Sequence, residues 1–555
     1  MTGGDHGRGN LSEANDAADA VLPAADAKVP AYSWYALFVL VLVYVLNFID
    51  RQILSILAND IKADLGVDDA YLGFLYGTAF AIFYALFGIP LGKLADSWKR
   101  VRLMSIGLSL WSVMTAVSGF AKNGAMLTGA RIGVGIGEAT ASPSAYSLIS
   151  DWFPARLRAT ALAIYSSGLY FGGGISLLIG GLIKDGWNEA YPGGGPFGLV
   201  GWQAAFVAVG LPGLFLAAWV LTLREPVRGA IDGMPTPEDP KPFRGFFDEL
   251  LQIIPPLTVL GALRRGPAAL ALNLGGAAFF AGLALLMNHF VYAGPGMIIP
   301  AVSDQWTLLG IGYYAVFSWA SALWSRDKPT FRLTWGSPAF LATILGYGTV
   351  SFVSYAGSFF SAPYGERRFD IDAAEIGFLL GAPAAVAGFL GVILGGRIAD
   401  WLFERTPAGR IYVIIFGLLT PVPVYWITFT TDSQPVFYIF AALGNLLAAS
   451  ALGAAAATSQ SLVLPRMRGV ATATFFLATT LYGLALGPFL AGWISAGYQG
   501  AAEQGQGISL GVRSIMWAIP FGLACLIAAI RLVPRAMATM VARAKDAGED
   551  SLTPA

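Results

Sequence analysis

GIPLGKLADSWKRVR (Gly88–Arg102) returns in the second half of the chain as GVILGGRIADWLFERTPAGR (Gly391–Arg410). Aligned on their cores, Gly92-Lys93-Leu94-Ala95-Asp96 matches Gly396-Arg397-Ile398-Ala399-Asp400. Each copy closes a long apolar run and opens a short basic loop. The glycine suits close helix approach, and the aspartate sits where a helix leaves the apolar layer. The cations that follow are placed to pair with it or with a helix C-terminus. One such loop is an ordinary stop signal. Two copies at matching positions point to an internally duplicated helical bundle, the usual build of secondary transporters.

Composition sets the solvent. The 555 residues are 56% hydrophobic and only 12% charged, with a mean hydropathy of +0.63. A soluble domain carries about 25% charged residues, so this is an integral membrane protein. The formal net charge is zero, so no overall field draws nucleic acid. One cysteine, Cys525, excludes an intramolecular disulfide and reads as a buried, inert thiol. Two histidines, His6 and His289, are too few for a His-ligated metal centre. No cofactor is expected.

Apolar runs fall near 34–58, 70–95, 101–120, 125–150, 157–183 and 202–223, and again near 267–293, 304–324, 337–362, 373–400, 411–430, 435–463, 468–495 and 512–533. At about 20 residues per crossing they predict about fourteen helices. Residues 1–31 read as a disordered tail without a signal peptide. RGFFDELLQII (Arg244–Ile254) reads as an amphipathic helix, on the membrane surface or as a structured linker. Lys99, Arg100, Arg102, Arg224, Arg228, Arg326, Arg405, Arg410, Arg466 and Arg535 fall on one side of this threading, whereas the other side holds scattered cations such as Lys62, Arg367 and Arg368. The positive-inside rule makes the crowded side, with both termini, cytoplasmic. The expected location is a plasma or bacterial inner membrane.

The first span, WYALFVLVLVYVLNFIDRQILSILA (Trp34–Ala58), carries Asp50 and Arg51 at membrane depth. The fourth carries Arg131 and, two turns further along the same helix face, Glu138. At 1.5 Å per residue, Asp50 and Arg131 reach similar depth. Ionised groups there cost about 2.5–3.5 kcal/mol each by insertion scales and normally face a bundle interior or a wet cavity. The four are expected to converge and pair. A plain structural ion pair is one reading. The sharper one gives Asp50 or Glu138 a proton during transport, switched as Arg131 moves relative to either acid. Arg51 and Arg131 also suit an anionic head group. Asn47, Tyr84 and other central aromatics, among them Tyr44, Tyr76, Phe80, Tyr146, Tyr165, Tyr170, Tyr347, Tyr355 and Tyr482, supply a candidate amphiphile-binding wall.

GxLAD followed by cations resembles the loop signature of the major facilitator superfamily, G-x-L-A-D-R-x-G-R-[KR], with Trp98 and Lys99 as departures. The resemblance implies an all-α polytopic membrane protein with two six-helix bundles related by a pseudo-twofold axis. The halves would span 32–223 and 337–535, flanked by tails at 1–31 and 536–555. About two extra helices would lie in a linker at 224–336. They are expected to be structural or lipid-facing. It also implies that Gly92, Asp96, Arg100, Gly396 and Asp400 form a gate that latches the bundles together on the cytoplasmic side. Asp50-Arg51 together with RIGVGIGEATASPSAYSLISDWF (Arg131–Phe153) resembles the spinster family within that superfamily. Its members release amphiphilic lipids such as sphingosine phosphate or lysophospholipids, some bacterial ones apparently with protons. The resemblance implies a monomeric, proton-coupled secondary carrier of a lipid-like substrate, embedded among membrane lipids. A carrier or facilitator of a small polar organic anion is the alternative.

Two apparent nucleotide motifs fail. Gly133-Val134-Gly135-Ile136-Gly137 lies inside an apolar helix with no preceding strand, where close packing explains it. GIPLGKL is too short between its glycines and lacks Ser or Thr after Lys93. Energy is then expected from gradients, and no enzymatic activity is expected. Gly483 and Pro488, in the penultimate helix, suit packing or a hinge.

Overall fold

The computed structural model describes residues 29–232, 239–498 and 505–549; most of the expected N-terminal tail, 1–28, and only the end of the expected C-terminal one, 550–555, lie outside the described residues. The described chain is helical, and a single isolated bridge, Ile299–Val302, is its one β pairing. The first half contributes α1 (Ala31–Ile56), α2 (Asp69–Ser97), α3 (Arg100–Ser118), α4 (Gly124–Glu138 continued by Ala141–Trp152), α5 (Ala155–Ala190) and α6 (Gly201–Leu221). A linker segment follows, with α7 (Phe243–Ile253) and α8 (Leu257–Arg265) meeting at a 98° bend. Next come α9 (Pro267–Phe290) and α10 (Asp304–Arg326). The second half holds α11 (Pro338–Phe369), α12 (Ala373–Arg405), α13 (Gly409–Thr428), α14 (Gln434–Ser461), α15 (Pro465–Gly497) and α16 (Gln506–Ala538), and α17 (Met540–Asp546) ends the described chain.

Twelve of these are long and apolar enough to cross a membrane. The broken α4 and the more polar α10, also expected to span, fall outside that set. This is the architecture that the resemblance implied, two six-helix bundles with an inserted pair. Both repeat copies lie at the ends of their helices, but α2 stops at Ser97, just past Asp96, whereas α12 runs on past Asp400 to Arg405.

Local chemistry explains the details. Asp68 caps α2 by accepting from the Tyr71 amide, and Asn123 caps α4 by accepting from the Met126 amide. α2 breaks at Gly77, and α12 and α15 each relax into one π-helical turn, at Gly377–Gly381 and Thr479–Leu484. Such turns free a backbone carbonyl and gather at functional positions. α7 is amphipathic as expected, but it docks on protein: Phe246 packs on Leu94, Ala95 and Leu103, and Trp98 meets Phe243 at 5.3 Å.

The glycines of the repeat behave differently from expectation. A Cβ at Gly92 would meet only Pro143, at 3.9 Å, and one at Gly396 would meet nothing. In the second copy close approach belongs to the preceding glycine: a Cβ at Gly395 would lie 2.2 Å from the Ser450 carbonyl oxygen. In α4 the packing reading holds. Cβ atoms at Gly135 and Gly137 would collide with the backbone of Phe80 and of Trp111.

Candidate functional site: a central cavity above a charged cluster

One large cavity, about 1510 Å³, lies between the halves. Its deep wall is aromatic: Tyr44, Phe48, Tyr76, Phe80, Tyr84, Tyr146, Tyr170, Tyr347 and Tyr355. Its mouth carries Lys93, Asp96, Asp248, Glu249, Arg326, Arg466 and Arg468, so it opens on the basic face. Of the expected aromatics, Tyr165 stands one layer back, stacked on Tyr44 at 4.3 Å, and Tyr482 stacks on Phe352 at 5.4 Å.

Arg51 projects from α1 into the depth of this cavity. Its guanidinium carbon lies 4.9, 4.6 and 4.5 Å from the ring centres of Phe48, Phe80 and Tyr84. Three aromatic faces substitute for part of the hydration that the cation lacks here. Arg51 Nε donates to Glu138 Oε2 at 2.6 Å. Glu138 is fully buried, and its other oxygen accepts no hydrogen bond.

Behind the wall sit Asn47, Asp50, Arg131 and Glu138, all essentially inaccessible. The convergence of α1 and α4 is as expected, but the pairing is not. Arg131 Nη1 donates to the backbone carbonyl of Asp50, at 3.1 Å, and not to its carboxylate. Neither carboxylate oxygen of Asp50 accepts a hydrogen bond, and the charges that face it are Glu138 and Arg131. Asn47 lies beside Glu138. The expected shared wet chamber is thus reached by Arg51 and Tyr84 alone; the other four groups form a second layer beneath it.

The gate residues divide. Asp96 is exposed at the cavity mouth, near Lys93 and Arg228, and makes no hydrogen bond or ion pair within the described residues. Arg100 is not part of a latch between bundles. It is fully buried inside the first half, bonded to Asp151, to Glu225 Oε1 at 2.8 Å, to Ser147 and to the Pro226 carbonyl. Asp400 pairs locally with Arg410 at 2.9 Å.

Closure lies on the opposite face, where sequence reading placed only scattered cations. Arg367 of α11 grips Asp69 of α2 with two bonds, 2.9 and 2.8 Å, and donates to Asn59 at 2.7 Å. Asp69 also accepts from Lys62 at 2.9 Å and from Ser495 of α15 at 2.7 Å. Lys184 of α5 bridges Asp60 at 2.8 Å and Glu366 of α11 at 3.4 Å, and Asn59 bonds Glu366. Backbone contact seals the same level. Cβ atoms at Gly73 and Gly77 would each lie 2.3 Å from carbonyl oxygens of α15, and one at Gly174 would lie 2.4 Å from the Gly381 carbonyl oxygen.

A cavity closed at one end, open at the other and walled by two pseudo-symmetric bundles defines a membrane carrier. Residues 40–365 match the family model "Major Facilitator Superfamily". The chain belongs to that superfamily and is a transporter resembling the spinster proteins. It is 26% identical, over 85% of its length and 86% of the relative's, to an "MFS-type efflux pump" of Mycolicibacterium smegmatis. It is 31% identical to a "Probable galactarate/D-glucarate transporter" of Bacillus subtilis over 37% of this chain and 43% of that one. Among solved structures, a bacterial homolog of the human lysosomal transporter Spinster, inward-facing and unoccupied, aligns at a TM-score of 0.62 with 26% identity, covering 95% of this chain and 100% of that one.

Proposed function

We propose that this carrier moves an amphiphilic, lipid-like anion by alternating access, coupled to protons through Glu138 and Asp50. The basic face is then cytoplasmic and the conformer inward-facing, with the protein working as a monomer among membrane lipids. The observation that carries the reading is the Arg51–Glu138 pair at the depth of a large aromatic cavity.

The chemistry follows from competition. Arg51 is permanently cationic, so an anionic head group entering the cavity competes with the Glu138 carboxylate for it. A proton on Glu138 ends the ion pair and releases the guanidinium toward the substrate. Asp50, whose carboxylate accepts no hydrogen bond, is the second proton acceptor, with Arg131 as the charge that tunes it. Asn47 and Tyr84 orient the pair. Asp96 is the free half of a latch that engages when the basic face closes, with Gly92, Gly396 and Asp400 at the corresponding loops. A single deep cation within an aromatic wall suits one anionic head and an apolar tail. A sugar diacid, the cargo in the name of the Bacillus relative, presents two carboxylates at its ends.

Binding of a lysophospholipid and of galactarate to purified protein, followed by thermal shift at several pH values, tests the reading. Expected is stabilisation by the lysolipid that strengthens as pH falls, and in Glu138→Gln a stabilisation that no longer varies with pH. Stabilisation by galactarate alone would favour the small-anion alternative.

A further inference from the structure

The inserted pair is expected from sequence to be structural or lipid-facing, and its two helices divide those roles. α9 exposes Phe279 (64%), Leu285 (57%) and Phe290 (64%), a lipid-type surface. α10 is mostly buried, and α9 covers its back through Gly276 against Phe317, Asn273 Nδ2 to Ser318 Oγ at 2.8 Å and Tyr314 OH to Asn273 Oδ1 at 2.6 Å.

The front of α10 lies across the line where the bundles meet. Adjacent residues touch opposite halves. A Cβ at Gly312 would press on Ile82 of α2, and the Tyr313 hydroxyl donates to the Leu481 carbonyl of α15 at 3.3 Å. Two turns nearer the closed face, Gln305 repeats the bridge. Its Oε1 lies 2.6 Å from the Thr78 hydroxyl of α2, and its Nε2 donates to the Ala485 carbonyl of α15 at 3.4 Å. Toward the mouth, Trp319, Ala322, Leu323 and Arg326 line the cavity. There Arg326 meets Glu249 at 3.1 Å, and Asp327, just beyond it, meets Arg466 of α15 at 2.9 Å.

We propose that α9–α10 is a built-in lateral wall that shuts the α2/α15 seam of the cavity to the bilayer and makes Trp319 a substrate-contacting residue. Among the described residues no inserted helix lies over the seam between α5 and α12, which packs directly at Gly174–Gly381 and Tyr170–Gly388. A tailed substrate then enters by the basic-face mouth and not through the α2/α15 seam. That Trp319 meets the cargo rests on the carrier reading above; the wall itself does not.

The test separates the two. In a Cys525→Ser background, Trp319→Cys, Leu323→Cys and Phe279→Cys are each labelled with bimane in proteoliposomes, without substrate or gradient. Expected is quenching of positions 319 and 323 by aqueous iodide but not by spin-labelled phospholipid, with the reverse at 279. Quenching of 319 and 323 by the lipid label as strongly as 279 would overturn the wall, whatever the protein transports. Leu323→Cys keeps the test available if loss of the tryptophan impairs folding. For the contact, Trp319→Ala is expected to raise the KM for a lysophospholipid several-fold with kcat little changed; an unchanged KM would overturn that part.

Discussion

The half of the molecule near the closed face and the half near the basic face are built from the same twelve-helix scaffold, yet their bundle contacts differ in kind. Near the closed face the bundles touch through carbonyl-to-glycine crossings and a polar cluster of Asn59, Asp60, Asp69, Lys184, Glu366 and Arg367. Near the basic face a cavity separates them, Asp96 stands alone, and Arg100 is spent on bonds to Asp151 in its own bundle and to Glu225 at the start of the linker. The lesson is that this conformer is held by its closed end. In the proposed alternating-access cycle the Asp69–Arg367 grip breaks as a replacement forms at the mouth. The Arg51–Glu138 pair sits between the two ends, where the proton of the proposed cycle would act.

The largest effect is expected at that pivot. Glu138→Gln should abolish accumulation driven by a pH gradient while leaving substrate exchange intact, measured in proteoliposomes. Retained accumulation would detach the pivot from coupling.

Breaking the closed end comes next. Asp69→Asn leaves Arg367 uncompensated in a partly buried site, at a cost of about 3–5 kcal/mol, roughly two to three and a half decades in the conformational ratio. Labelling of Gln52→Cys, a cavity residue, by an impermeant thiol reagent added on the closed side should accelerate accordingly in a Cys525→Ser background. The charge swap Asp69→Arg with Arg367→Asp should recover part of the closure.

Gly77→Val probes the same end through packing alone. Its side chain would meet the Leu484 carbonyl at the α2/α15 crossing, an overpacking cost of about 1–3 kcal/mol. The same labelling assay should report a smaller acceleration that salt does not change, in contrast to Asp69→Asn.

The smallest effect is expected at the mouth. Burial alone would raise the Asp327 carboxyl, but hydrogen bonds from Arg466 and Thr330 prevail and hold it below the usual carboxylate range. Its folded value is depressed, so its stabilisation is present above the ordinary carboxylate pKa and fades as pH falls through the lowered one. The pair is partly exposed, so Asp327→Asn should cost at most about 1 kcal/mol, read as a small drop in Tm at neutral pH that vanishes under acid.

Much of this was legible in the chain. The paired GxLAD loops, the apolar spans and the charges at Asp50, Arg51, Arg131 and Glu138 each carry a local signal, because lipid penalises whatever breaks the pattern. Who pairs with whom was not legible. Helix-face arithmetic brought Arg131 to Asp50, but a guanidinium on a long flexible stem took the backbone carbonyl, while Arg51 reached across to Glu138. The Asp69–Arg367 grip joins helix ends far apart in sequence, and no local pattern announces it. Nor could hydropathy tell α9, which faces outward, from α10, which is buried and lines the cavity. That distinction depends on neighbours.

Proton flux accompanying substrate tests the central claim most directly. Proteoliposomes carrying an internal pH dye, with no imposed gradient, are given the lysophospholipid that stabilises the protein. The account predicts a substrate-dependent pH change in the wild type and none in Glu138→Gln, although that variant still binds and exchanges the lipid. A pH change of undiminished size in Glu138→Gln would contradict it.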